Sequence, residues 1–271
     1  MTTTMRDPVS PDLRKTLRAL KLGQMLATLP ERLTLARQQK MAHADFLELI
    51  LADEVTRREA KSAFLRARAA GLDAGMRLDT WDESATIRYD RNLWNELASL
   101  RFLDGPHGAL ILGPVGVGKT HLACALGHIA IRRRRTVHMA SAAKLFKRLK
   151  AARLDNTLDY EMRRIAGVEL LILDDFALQP LDSAETADFY QLCVERHRKA
   201  ATIVTSNRTA EEWLSMMADP LLAQSAVDRL VSAAHELIIE GESYRRRQKP
   251  SISHGPSMSI DQKNGDHHDH S

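Results

Sequence analysis

The sequence predicts an α/β fold in which a five-stranded parallel sheet is flanked by helices and preceded by a small all-helical domain. Short apolar runs alternate with helical stretches through residues 101–249, as in strands buried between two helical layers. A glycine-rich loop separates the first run from a helical stretch, and the third run ends in two aspartates. The predicted strands are Ala109–Leu112, Thr136–Met139, Leu170–Leu173, Ala201–Thr205 and Glu236–Glu240.

Composition and periodicity divide the chain into four parts. Residues 1–71 are predicted to form the helical N-terminal domain, and residues 72–100 a connector with a lead-in helix. Residues 101–249 form the α/β domain. Residues 250–271 carry Pro, Ser, His, Gly and Asp with almost no core-forming residues, so we expect a disordered tail.

Start and stop signals define the helices of the N-terminal domain. Pro11 and Pro30 each suit a first helical turn, with Ser10 as a candidate N-cap. The longest pattern runs over Ala44–Ala70, with Gly71 as its C-cap. It carries an apolar stripe and several basic residues. The basic residues either contact DNA or a partner, or are simply solvated. The stripe is Phe46, Leu47, Ile50 and Leu51, and the basic residues are Arg57, Arg58, Lys61, Arg66 and Arg68.

Composition also excludes several classes of protein. The 271 residues are 44% apolar and 27% charged, as expected of a globular protein. The two cysteines, Cys124 and Cys193, lie far apart and form no metal-binding pair, which favours a reduced, cytoplasmic setting. No run has the length of apolar sequence that spans a membrane, and residues 1–11 lack the apolar segment of a signal peptide. We therefore expect no membrane partner.

Positive charge is concentrated in one segment. Residues 101–153 contain 11 Lys or Arg residues and a single acid, Asp104. Residues 154–271, by contrast, contain 12 basic and 20 acidic residues. Such a local excess fits a polyanion partner and a solvated basic surface equally well.

A phosphate-binding loop is the most specific motif in the sequence. It follows the strand Ala109–Leu112 and precedes the helical run His121–Arg132, which is the context that the pattern G-x-x-x-x-G-K-[ST] requires. The matching residues are Gly113, Pro114, Val115, Gly116, Val117, Gly118, Lys119 and Thr120. Lys119 is expected to reach the β- and γ-phosphates of a nucleotide and Thr120 to ligate Mg²⁺. The motif predicts binding of ATP with Mg²⁺.

An apolar strand that ends in two carboxylates supplies the second half of the predicted site. Asp174 and Asp175 follow the strand Leu170–Leu173, far enough after Lys119 to leave room for a helix, a strand and a helix. We expect Asp174 to sit beside the Mg²⁺ and Asp175 to orient or deprotonate the attacking water. Together the two motifs predict an ATPase that converts ATP and water to ADP and phosphate.

A polar amide follows the next predicted strand. Asn207 comes shortly after Ala201–Thr205, at the edge of the sheet where the carboxylates are expected. Asparagine is a common turn residue, but an amide at this position is also suited to hold the attacking water near the γ-phosphate. We favour the role in the site.

The order of these motifs resembles that of AAA+ ATPases. The phosphate loop, the two aspartates, Asn207 and a later Asp228-Arg229 occur in the order typical of that superfamily. More narrowly, the chain resembles the IstB family, the ATP-binding helper proteins of insertion-sequence transposition, and the related helicase loader DnaC. This resemblance spans residues 10–249. Its particular features are residues 221–245, especially Asp228–Val231 and Gly241–Arg245, and in the N-terminal domain Phe46–Leu49 with Asp53-Glu54.

The resemblance implies roles for individual residues. Asn207 would be the sensor-1 residue, and Arg229 would be an arginine finger acting on ATP bound by a neighbouring subunit, which requires a self-oligomer. The alternative for Arg229 is an ordinary salt-bridging arginine. Many AAA+ proteins carry Glu where this chain has Asp175, which leaves the rate of hydrolysis open. The helical lid is expected to be absent or reduced, with Arg245 as the one sensor-2 candidate.

The resemblance also implies an extra helical element near Ala142–Ile165, as in initiators and helicase loaders. This stretch is basic, and its positions 144, 147 and 148 fall on one helical face, which suits the backbone of duplex DNA and sequence-independent, salt-sensitive binding. The predicted DNA-binding residues are Lys144, Lys147, Arg148, Lys150 and Arg153.

These expectations combine into a DNA-binding regulator of transposition that oligomerises on duplex DNA and hydrolyses ATP. By resemblance, the helical N-terminal domain would recruit the transposase of the same insertion sequence. The closest alternative is a DnaC-like loader of a replicative helicase. A small-molecule kinase and a non-hydrolysing nucleotide-dependent scaffold fit the motifs less well.

Overall fold

A computed structural model of the chain describes residues 9–82, 87–105 and 107–244. At its centre lies a parallel sheet of five strands in the order β3-β4-β5-β2-β6, and two further short strands form an antiparallel ribbon, β1-β7. The strands are β1 Ile87–Arg88, β2 Gly108–Leu112, β3 Val137–Ser141, β4 Leu170–Asp174, β5 Ala201–Ser206, β6 Ala234–Ile238 and β7 Glu240–Gly241. The predicted fold class is confirmed.

Ten α-helices connect the strands and form the N-terminal region in the described part of the chain. They are α1 Pro11–Ala19, α2 Leu29–Gln38, α3 His43–Ala69, α4 Arg91–Ser99, α5 Lys119–Arg132, α6 Ala142–Leu154, α7 Leu158–Ala166, α8 Ser183–Arg196, α9 Ala210–Leu214 and α10 Pro220–Val231. The capping signals hold: the Ser10 hydroxyl accepts from the Leu13 amide, and Gly71 follows α3 with φ +84°. The extra helical element is the pair α6 and α7.

The sheet separates two apolar layers. One layer packs α5, α4 and the end of α3 against the sheet, and the other packs α6, α7, α8 and α10 against the opposite face. Residues of β2 and β4 are buried throughout, which explains why these strands read as continuous apolar runs. The strands of the sheet, with their carboxyl ends, are therefore packed between two helical layers.

One predicted strand has different bounds. The last strand was expected at Glu236–Glu240, but β6 begins at Ala234, which pairs with Gly108 of β2. Glu240 instead belongs to β7, which returns to pair with β1. The chain beyond β6 therefore turns back toward the phosphate-binding loop.

Helix α3 joins the N-terminal region to the α/β domain. Its first half contributes Phe46 and Ile50 to a small apolar cluster with α1 and α2, whereas its neighbours Leu47 and Leu51 are exposed. Its last turn contributes Ala67 to the core beneath α5, and the carbonyl of Ala70 accepts from the Met139 amide of edge strand β3. Among the described helices, none combines the length and apolar composition that a membrane span requires.

Candidate functional site

The loop after β2 is held open by three glycines. Gly113, Gly116 and Gly118 have φ values of +150°, +86° and +99°, which other residues rarely adopt. Close approach adds a second constraint, because a Cβ at Gly113 would lie 2.2 Å from the Ile239 carbonyl. The loop leads directly into α5, so its amides and the positive end of the helix face one site.

Lys119 lies inside this loop. It is 6% exposed, and its ammonium group donates hydrogen bonds of 2.8 Å to the carbonyl oxygens of Gly113 and Pro114. A phosphate group entering the loop would offer the ammonium a charged acceptor, which makes a stronger hydrogen bond than a carbonyl does. The position of Lys119 thus fits phosphate binding.

Oxygen donors gather at the end of β4. The buried carboxylate of Asp174 accepts hydrogen bonds from the side chains of Thr120 and Thr205. Burial raises the pKa of Asp174, the nearby Asp175 carboxylate raises it further, and the two hydroxyl groups oppose this. A buried carboxylate next to a hydroxyl is a set of hard oxygen ligands that suits Mg²⁺, so Thr120 and Asp174 fit that ion.

Asp175 is held in a left-handed conformation. Its φ is +52° and that of Ala177 is +54°, both unusual for residues other than glycine. The Asp175 amide donates to the Thr205 hydroxyl at 3.0 Å, and the Ser206 hydroxyl donates to the Phe176 carbonyl at 2.8 Å. Residues at the end of β5 therefore fix the backbone that carries the second carboxylate, and strain of this kind is often found at functional sites.

A single cavity of about 370 Å³ connects these groups. Its lining includes residues 115–120 of the phosphate loop together with Asp175 and Asn207. The sequence had predicted that these residues lie in one site. It also includes connector residues that sequence reasoning had not assigned to the nucleotide. The unassigned lining residues are Met76, Thr80, Trp81, Asp82 and Ile87 of the connector, together with His121, Leu178 and Tyr244.

Trp81 forms one wall of the cavity beside the phosphate loop. Its ring meets His121 edge-to-face at a centroid distance of 5.1 Å, and a Cβ at Gly118 would approach it to 2.6 Å. His121 Nε2 donates to the Arg77 carbonyl at 2.8 Å, which ties the connector to the first turn of α5. An aromatic wall next to a phosphate site suits a nucleotide base. An aromatic residue in a polar connector was the available sequence signal.

Comparisons with known proteins decide the family. The chain matches the model of the IstB-like ATP binding protein family over residues 15–251. This chain belongs to that family. It is 35% identical over 241 residues to a Mycobacterium tuberculosis protein named as an ATP-binding protein in an insertion sequence, with 89% of this chain and 96% of that protein covered. It is 32% identical to the IS21 ATP-binding protein of Pseudomonas aeruginosa, covering 88% and 90%.

Solved structures support the fold of this IstB-like chain. It resembles the DnaC helicase loader with a TM-score of 0.53 and 19% identity, covering 62% of this chain and 98% of that chain. It resembles DnaI with a TM-score of 0.52 and 22% identity, covering 60% and 90%. At these identities the likeness shows a shared AAA+ fold.

In this IstB-like chain, Arg229 lies away from the cavity beside the phosphate loop. It lines a small cavity with Gly108 and Thr202, at the amino ends of β2 and β5, whereas the phosphate loop follows the carboxyl end of β2. Its guanidinium is half-buried, donates to the Ser225 carbonyl at 2.8 Å and lies 5.7 Å from the centre of the Tyr190 ring. An arginine at this edge is about one strand length from its own site, or roughly 15 Å.

The predicted DNA-binding residues lie on α6, but neighbouring acids neutralise most of them. Arg148 pairs with Glu161 of α7, while Lys150 and Arg153 pair with Asp182 and Asp188 at and within α8. The structure assigns no ion pair to Lys144 or Lys147 among the described residues, and both are exposed. The surface available to a polyanion on α6 is therefore smaller than the sequence suggested.

No helical lid follows β6 within the described residues. Instead, the Tyr244 amide donates to the Gly116 carbonyl at 2.9 Å, and Ser243 packs against the same glycine. The segment after β7 thus covers the phosphate loop directly. Arg245, the sensor-2 candidate, lies outside the described residues, as does the tail at 250–271.

Proposed function

We propose that this IstB-like protein is an Mg²⁺-dependent ATPase that regulates DNA transposition from an oligomer assembled on duplex DNA. The observation that carries the proposal is the convergence of Lys119, Thr120, Asp175 and Asn207 on one cavity, with Asp174 bonded to Thr120 behind it. Binding of ATP alone would not require a second carboxylate and an amide beside the phosphate loop.

Each residue has a role in this proposal. Lys119 and the loop amides bind the phosphates, and Thr120 and Asp174 hold the Mg²⁺, which neutralises charge on the phosphate oxygens when bound. Asp175 accepts the proton of the attacking water or orients it, and Asn207 holds that water in line with the γ-phosphate. The fixed backbone at Asp175 supports this role because the position from which the carboxylate extends is set before ATP arrives.

Arg229 completes the site of a neighbouring subunit in the proposal. Its place at the opposite end of the strands from the phosphate loop supports action in trans, because the side chain would have to span about a strand length, roughly 15 Å, to act on its own ATP. The guanidinium would leave Ser225 and stabilise the charge that develops on the transferred phosphoryl group. ATP would then link adjacent subunits, and hydrolysis would release or reset the assembly.

The relatives' names, which refer to insertion sequences, support transposition as the process. The proposed partners are duplex DNA, the transposase of the same insertion sequence and further copies of this chain. The proposed location is the cytoplasm, with no membrane partner. A DnaC-like loader would bind a replicative helicase instead. Capture of purified transposase against purified replicative helicase by the immobilised chain separates the two alternatives.

The first experiment measures ATP hydrolysis with and without duplex DNA at low and raised salt. We expect DNA to stimulate the wild-type rate and salt to remove the stimulation. Asp175→Asn and Arg229→Ala should each retain ATP binding and lose turnover. Hydrolysis that ignores DNA in the wild type, together with an unchanged rate for Arg229→Ala, would contradict the proposal.

A further inference from the structure

An open groove of about 950 Å³ runs between α3 and α5, on the face of the sheet opposite α6. Two segments that are distant in sequence line it: α3 with the connector that follows it, and the end of α5. Its floor is built largely from small side chains, among them Ala60, Ala63 and Ala67 on one face of α3. Its rim carries six arginines, namely Arg58, Arg66, Arg68, Arg77, Arg132 and Arg134.

The positive charge of this α3–α5 groove is only partly neutralised. Glu59 is the one acidic residue among the lining residues, and it pairs with Arg134 at 2.8 Å. Arg58 pairs with Glu54 and Arg77 with Asp79, both outside the lining. The other three arginines of the lining, Arg66, Arg68 and Arg132, have no ion pair with an acid among the described residues.

Arg66, Arg68 and Arg132 present exposed positive charge to a polyanion. Arg66 donates to the Ile131 carbonyl at 3.0 Å, a neutral partner that leaves its charge in place. The structure assigns no ion pair to Arg68 or Arg132 among the described residues, and all three side chains are exposed. On α6, by comparison, Lys144 and Lys147 are the two basic residues with no ion pair to the part of the chain that the structure describes. The basic surface with the larger uncompensated charge is thus the groove.

We propose that the α3–α5 groove holds the phosphate backbone of duplex DNA. This inference rests on the proposed function, because it names the surface by which that function contacts DNA. Guanidinium groups match phosphate oxygens in a two-pronged geometry that lysine lacks, and the groove supplies guanidinium groups throughout. Its alanine floor lets a sugar–phosphate backbone approach closely without base-specific contacts, so binding is independent of sequence.

The groove also adjoins the nucleotide cavity. The Arg77 side chain lines the groove, while its carbonyl accepts from His121, which lines the cavity beside Thr120. His128, about two turns further along α5 and also in the groove lining, lies 2.8 Å from the Asp73 carbonyl. DNA held in the groove would therefore stiffen the connector that carries Trp81, which gives a physical route from DNA to ATP binding.

The test compares three double variants that each remove two exposed positive charges. They are Arg68→Gln with Arg132→Gln in the groove, Lys144→Gln with Lys147→Gln on α6, and Lys15→Gln with Arg18→Gln on α1 as the control for net charge. The full-length chain with ATP is titrated with a fluorescein-labelled duplex of mixed sequence over a series of salt concentrations. Thermal melting and ATP affinity check that each variant is folded.

We expect the groove variant to bind duplex at least about tenfold more weakly than the wild type. The plot of log affinity against log salt should become less steep by about two, because each lost phosphate contact removes about 0.9 from the magnitude of its slope. The α1 variant should bind as the wild type does. If the groove variant binds duplex as tightly as the wild type does, the inference is overturned and the proposed function is left intact. The same conclusion holds if the α6 variant is the one that binds more weakly. A wild type that binds no duplex in the presence of ATP would overturn both.

Discussion

The hydroxyl group of Thr205 donates a hydrogen bond of 2.6 Å to the carboxylate of Asp174. The same oxygen accepts from the Asp175 amide at 3.0 Å, and the side chain is fully buried. One hydroxyl on β5 therefore contacts both the carboxylate of Asp174 and the backbone amide of Asp175. It links the strand that precedes Asn207 to the residues proposed to hold Mg²⁺ and water.

Replacing Thr205 with valine removes this hydroxyl while keeping the shape of the side chain. The buried Asp174 carboxylate would lose a donor, and the left-handed Asp175 backbone would lose its anchor. We expect kcat for ATP hydrolysis to fall roughly 10–100-fold, as for other residues that orient metal ligands, with ATP affinity nearly unchanged. The measurement is kcat and KM at several Mg²⁺ concentrations.

Thr205→Ser is the matched control for this prediction, since it retains the hydroxyl. It should keep most of the wild-type kcat. A large loss of kcat in Thr205→Ser, or none in Thr205→Val, would show that the hydroxyl does not position the carboxylates.

Trp81 is predicted to form the wall of the base pocket. Removing the ring by Trp81→Ala should weaken ATP binding about tenfold, in line with the 1–3 kcal/mol of a base stacked on an aromatic side chain. Trp81→Phe should retain most of the affinity. Calorimetric titration with ATP and with inorganic triphosphate separates base from phosphate, because triphosphate affinity should not change. Equal losses for both ligands would place the base elsewhere.

Asp174 should make the ligand-free protein less stable at neutral pH. Its raised pKa means that the folded protein binds this proton more tightly than the unfolded chain, whose value is near 3.8. Between these two pKa values stability falls as pH rises, and above them the loss is complete. Asp174→Asn removes the buried charge and can still accept from Thr205, so we expect a higher melting temperature than wild type at pH 7 without Mg²⁺.

This stability difference has a pH dependence that serves as its control. The difference in melting temperature between Asp174→Asn and wild type should shrink as pH falls through the raised pKa of Asp174 toward the unfolded value near 3.8. Mg²⁺ with ATP should stabilise the wild type more than the variant. A variant that is less stable than wild type at pH 7 would contradict the role given to burial.

The nucleotide site was predictable in part because its residues follow strands. The carboxyl ends of parallel strands meet at one edge of a sheet, so Lys119, Asp174 and Asn207 could be brought together from sequence spacing alone. Thr205 gave no such signal, because a buried threonine in a strand is an ordinary β-branched residue. Trp81 was missed because its approach to Gly118 depends on how the connector folds back.

Charge proved harder to predict than the site. Helical periodicity correctly placed Lys144, Lys147 and Arg148 on an exposed face of α6, but it carries no information on the acids of adjacent helices. Glu161 comes beside Arg148 only in the folded chain. The α3–α5 groove is the opposite case, since Arg68 and Arg132 come together from distant segments. Both results depend on packing between elements rather than on any one element.

The central claim is that Arg229 acts on ATP held by a neighbouring subunit. The most direct measurement mixes Asp175→Asn and Arg229→Ala protein on duplex DNA with ATP, two variants expected to bind ATP and to be inactive alone. In random mixed oligomers at equal amounts, about one quarter of the sites would combine an intact Asp175 with a neighbour's Arg229. We predict recovery of hydrolysis to about that fraction of the wild-type rate. A mixture that stays as inactive as its two components would contradict the account.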